Sequence, residues 1–130
     1  MHVFVNRVGE AQRVVVFRCK AGHGASVARW MGDPLPAQGT DAFVELTVPH
    51  PVTEWSPASP TAGRAMEVTA DGLVVRGEVL AIGGPEDPVV ELRVGTDVVL
   101  VEIGDGRDAL EVGGRISFKS LILEVHSYDL

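Results

Sequence analysis

The sequence predicts an all-β chain folded as a small antiparallel Greek-key barrel or sandwich, and three observations carry that prediction. Apolar residues make up 45% of the chain and aromatic residues only 5%; valine dominates, and a β-branched side chain suits a pleated, half-buried surface better than a helix. The apolar residues fall in about nine short runs bounded by turn signals, the spacing of a sandwich or barrel. No stretch sustains the 3.6-residue period of an amphipathic helix, and no internal repeat is visible. At 130 residues the chain fits one domain, long enough to bury a core without disulfides or a structural metal.

Taken in order, Val3, Phe4 and Val5 and the apolar run of residues 13–19 flank the turn signal Gly9-Glu10 and read as a hairpin. Residues 42–48 alternate, with Val44, Leu46 and Val48 on one side and Glu45 and Thr47 on the other, the pattern of a half-buried strand. Residues 48–64 hold four prolines, at 49, 51, 57 and 60, which remove ladder donors and restrict their predecessors. That makes them a crossing loop, about 49–64, laid over the core by Trp55 because a tryptophan buries a large apolar area where it can. Residues 66–69 and 73–82 meet across Ala70-Asp71-Gly72 as a second hairpin, and Gly77 marks a bulge or a close backbone approach. Residues 89–94 and 98–103 form a tight meander about Gly95-Thr96-Asp97. In the last strand, residues 115–128, Ile116 and Phe118 share one parity and Leu121, Leu123 and Val125 the other, so a bulge is expected near Lys119-Ser120.

The run GEVLAIGGPEDPVVELRVGTDVVLVEIGDGRDALEVGGRISFKSLILEV resembles an OB-fold-type Greek-key barrel, with a long bent strand, a meander hairpin and a glycine pair before a strand. The resemblance covers residues 66–130 and implies an OB-like second half. It also implies a binding face with exposed aromatics for stacking bases. The second half departs from that pattern, since its only aromatics are Phe118 and Tyr128 and it is acidic. The resemblance therefore speaks for architecture and not for a function.

Charge is unevenly placed. Residues 1–30 carry Arg7, Arg13, Arg18, Lys20 and Arg29 against Glu10, a balance of +4, so the remaining hundred carry −11 within the overall −7. Net negative charge repels phosphate backbones, which disfavours DNA or RNA as a partner. The acidic half can equally steer a basic or polar protein partner. A single cysteine forms no internal disulfide, and no run of about eighteen apolar residues spans a membrane, so a cytoplasmic location is expected. Arginine outnumbers lysine nine to two, a usage expected of a high-GC bacterial genome.

The one cysteine, Cys19, lies four residues before His23. As a metal pair these two lack the third and fourth ligands, and His2, His50 and His126 lie on distant segments, so no metal is expected. A thiol nucleophile would need a base, an orienting group and oxyanion donors; the simpler expectation is that Cys19 ends a strand as a buried apolar residue and residues 21–24 form a turn with His23 exposed. The acidic positions Glu86, Asp87, Asp105 and Asp108 cluster in loops without the order of a calcium loop. No phosphate-binding glycine loop is present and no cofactor is expected. The sequence thus points to a non-catalytic protein–protein interaction module, of the kind that includes small acidic immunity proteins that neutralise toxins. Its candidate binding residues are Trp30, Trp55, His50, Glu86, Asp87, Asp105 and Asp108, with Trp55 and His50 placed to line the mouth of a barrel. Two alternatives remain: an OB-like domain binding single-stranded nucleic acid or a small ligand, and a cysteine-dependent enzyme using Cys19 and His23. Open strand edges need covering, which makes a homodimer an expectation.

Overall fold

A computed structural model describes residues 1–59 and 63–128. Its strands are β1 (His2–Gly9), β2 (Val14–Cys19), β3 (Ala25–Met31), β4 (Asp41–Thr47), β5 (Ser56–Pro57), β6 (Met66–Thr69), β7 (Gly72–Ile82), β8 (Val89–Val94), β9 (Asp97–Glu102), β10 (Arg115–Ser120) and β11 (Leu123–Ser127), with one 3-10 turn at Arg107–Ala109. No helix among the described residues is long and apolar enough to cross a membrane. The chain is all-β and contains a closed five-stranded barrel beside a second sheet.

The barrel runs β1-β2-β3-β11-β4 and back to β1. Its pairs are antiparallel except β3 with β11. Alternation dictates which residues fill it: Val3 and Val5, Val15, Phe17 and Cys19, Ala28 and Trp30, Val44 and Leu46, and Leu123 and Val125 all point inward and are buried. In β1 the register shifts between Val5 and Arg7. That bulge lets Val8, which shares no parity with Val3 and Val5, stand opposite the buried Val15. The closed ring thus lies elsewhere than the OB-type resemblance places it. Of residues 66–130 only β11 belongs to the ring, and the other staves come from the first 47 residues.

The second sheet is ordered β5-β10-β7-β8-β9, with β6 on β7. The long strand β7 pairs β10 along one edge, from Leu73 to Glu78, and on its other edge pairs β6 up to Val75 and β8 from Glu78 onward. A Cβ on Gly77 would stand 3.0 Å from the Arg93 carbonyl oxygen, so the glycine permits close approach. The bulge falls later, between Val79 and Ala81.

The expected bulge at Lys119-Ser120 is absent. The chain instead leaves β10 in the second sheet and enters β11 in the barrel, so the parity change reflects a switch of sheet. Leu121, expected inward with Leu123 and Val125, lies at that switch and is 96% exposed. The proline-rich crossing runs from one edge of the second sheet to the other and pairs with both. The Val52 N–H donates to the Glu102 carbonyl at 2.8 Å, Val52 bridges Ile103 in parallel, and Ser56 and Pro57 pair with Ser117 and Ile116. Pro60 lies outside the described residues. The buried side chains of both sheets form one continuous hydrophobic core.

Candidate functional site

The outer face of β1, β2 and β3 is built from the residues that alternate with the barrel core. Register fixes their rows: Phe4, Arg18 and Ala25 lie side by side, then Arg7, Val16 and Val27, then Gly9, Val14 and Arg29. Neighbouring strands lie about 4.8 Å apart and successive rows about 7 Å, so the three arginines cover the face without crowding. The Arg18 guanidinium carbon stands 4.7 Å from the centre of the Phe4 ring, and the Lys20 ammonium 6.0 Å from it. Towards β4 the aromatics continue. The His2 ring stacks on Phe43 with centroids 4.4 Å apart, and Phe43 meets Tyr128 at 6.2 Å.

Some of the basic groups are already neutralised. Lys20 and His2 reach the Asp41 carboxylate at 3.4 and 3.3 Å, and Arg13 reaches Asp33 at 3.2 Å. Arg7, Arg18 and Arg29 are exposed and form no ion pair among the described residues. The basic balance of the first thirty residues therefore concentrates on one side of the barrel.

A cleft of about 580 Å³ opens on the second sheet between the crossing segment and β10. His50 and Trp55 line it, so they meet at the edge of this sheet and not in the mouth of the closed barrel. The other candidate tryptophan corrects the sequence expectation. Trp30 is 4% exposed, points into the barrel, and donates its indole N–H to the Pro34 carbonyl at 3.1 Å, so it cannot touch a partner. Glu86, Asp105 and Asp108 surround a shallow depression between two loops. Arg107 is folded into those loops and donates to the carbonyls of Asp87 and Gly84, while the Asp87 carboxylate accepts the Val89 N–H at 3.0 Å. No group of three or more His, Cys, Asp or Glu side chains among the described residues is arranged to hold a metal ion.

The chain matches no family model, no curated protein and no solved structure. Cys19 ends β2 with its sulfur 3.5 Å from that of Met1, and burial, aided by the Asp97 carboxylate, pushes the thiol up to about 11. It is protonated at neutral pH and turned away from solvent. His23, expected to be exposed, is half-buried; its ring covers Gly95, where a Cβ would stand 3.0 Å from it. That contact ties the β2–β3 turn to the β8–β9 hairpin. Sequence reasoning missed the arginine face because its residues lie on three strands whose register no single run reveals; the signal available was the +4 balance of residues 1–30.

Proposed function

We propose that the protein is a non-catalytic binding module and that the outer face of β1–β3 takes single-stranded nucleic acid. The observation that carries this reading is the trio Arg7, Arg18 and Arg29, unpaired on adjacent strands of a closed five-stranded barrel. OB-type barrels use the face of their second and third strands for oligonucleotides, and we read this ring, with its parallel third and fifth staves, as OB-type. Phe4, Phe43 and His2 supply flat surfaces for bases beside the cations, and sequence-tolerant binding needs those two ingredients. The overall charge of −7 argues the other way but acts weakly here. Charges are screened over about 8 Å at physiological salt, and the acidic loops belong to the other sheet; on the barrel itself Glu124 of β11 stands opposite Arg29, so Arg7 and Arg18 are the cations of the trio without a carboxylate on a directly paired residue.

Anisotropy titration of labelled oligo-dT tests this. Three phosphate contacts predict a log–log salt slope of about −2, and Arg18→Ala should reduce it by about 0.7. Removing all three arginines should abolish binding with the melting temperature unchanged. No binding at low salt would overturn the reading, and equal binding of polyglutamate would give the face to an acidic protein instead.

A second reading, an interaction module meeting a basic or polar protein as immunity-like proteins do, is favoured by the exposure of Glu86, Asp105 and Asp108 at one loop pair. Recovery from the native cell of one basic protein whose binding is lost in the Glu86→Lys, Asp105→Lys variant would support it. The cysteine-dependent alternative finds no support in a protonated, inward-facing Cys19.

A further inference from the structure

Pairing between β5 and β10 stops early. The Ala58 N–H donates to the Arg115 carbonyl, and Ser117 stands opposite Ser56. The next hydrogen-bonded pair in this register, past Phe118 and Trp55, would be Lys119 with Glu54, and it is not formed, because the two segments part around the 580 Å³ cleft. Backbone direction alternates along a strand. Gly114 offers its carbonyl to Val79 on the β7 side, and Arg115 offers its own to Ala58 on the β5 side. Lys119 shares the parity of Arg115, so its N–H and C=O point into the cleft, and neither has a backbone partner among the described residues.

Polar side chains, among them His50, Glu54 and Ser117, share the lining of this open edge with apolar ones. Phe118 and Val52 close the floor and are buried, Trp55 forms a side wall, and Leu121, 96% exposed, stands at the rim with nothing covering it. A segment of strand edge with free donors and acceptors, beside apolar surface, is the arrangement that accepts an added strand. We propose that the cleft binds a short extended peptide from a partner protein, with an apolar side chain laid between Trp55 and Leu121 and its backbone bonded to Lys119. The peptide completes the ladder that β5 leaves unfinished. This site is on the second sheet and is independent of the arginine face.

Amide exchange and chemical shifts on the full chain test the proposal. In the free protein the Lys119 amide should exchange at least about tenfold faster than those of Phe118 and Ser120, which face β7. Blocked peptides acetyl-Thr-X-Thr-amide, with X valine, leucine, phenylalanine or tryptophan, serve as probes. At least one should slow the Lys119 amide by about tenfold and move the Trp55 indole and Leu121 methyl resonances in a saturable way, and its N-methylated version should not. Lys119→Pro, which removes the donor at an edge position that proline tolerates, should lose binding at an unchanged melting temperature. A Lys119 amide already protected in the free protein, failure of all four peptides to shift the cleft, or equal binding of the N-methylated peptide would each overturn the proposal. The last result would assign the cleft to a small apolar ligand.

Discussion

Cys19 shows how placement governs the chemistry of a single residue. Its thiol is raised from 9.0 to about 11, first by burial and then by the Asp97 carboxylate, against the opposing Met1 ammonium. At pH 8 about one folded molecule in a thousand carries the thiolate, against about one in ten unfolded, so a thiol-specific disulfide reagent should react at least about a hundredfold more slowly with the native protein. The sign of the stability effect follows. A folded pKa above the unfolded one means the native state holds its proton more tightly, so stability falls as pH climbs from about 9 to 11. The urea midpoint should drop more steeply across that window in the wild type than in Cys19→Ala. Parallel curves would show that folding leaves the thiol's hold on its proton unchanged. The burial of the thiol was legible from its place at the end of an apolar run. The packing of His23 on Gly95 was not, because Gly95 lies seventy-two residues further along the chain.

At the scale of elements, alternation within a strand was readable and the assignment of strands to sheets was not. Val44 and Leu46 of β4 face inward as their spacing requires, and the β8–β9 hairpin turns at Gly95-Thr96 as its residues demand. The parity change after β10 was equally visible, but a bulge and a switch of sheet leave the same mark in a sequence. Only the partners of β11, which are β3 and β4, separate the two. The arginine face stayed hidden for the same reason, being a property of register. One joint between the sheets rests on Gly24, whose φ is +110° and where a Cβ would stand 1.9 Å from the Met66 carbonyl oxygen, so the start of β3 and β6 approach closer than any side chain allows. Gly22 also has positive φ, at +80°, but open space around it. Gly22→Ala should therefore cost about 1 kcal/mol from backbone strain alone. Gly24→Ala should cost about 2–4 kcal/mol once the forced separation is added. Equal losses in chemical denaturation would mean that the bridge contributes nothing.

For the whole molecule the question is whether barrel and second sheet fold as one. The chain leaves the barrel after Thr47 and re-enters at Leu123, and Thr47 stands opposite Glu124, so the ends of the excursion lie side by side and the ring could close without what lies between. Against that independence stand the shared core, the Met66 N–H donated to the His23 carbonyl at 3.1 Å, the packing of His23 on Gly95, and the Met1 ammonium 2.7 Å from Asp97 of β9. Continuous burial outweighs chain connectivity, because opening either half would expose apolar surface at about 25 cal/mol per Å². The two tryptophans report separately, Trp30 from inside the barrel and Trp55 from the crossing over the second sheet. Urea unfolding followed by fluorescence in Trp30→Phe and in Trp55→Phe, each checked against backbone circular dichroism of the same variant, should give coincident transitions. A barrel signal persisting after the Trp55 signal is lost would mean that residues 48–122 unfold as a unit of their own, and that the peptide cleft can open without disturbing the arginine face.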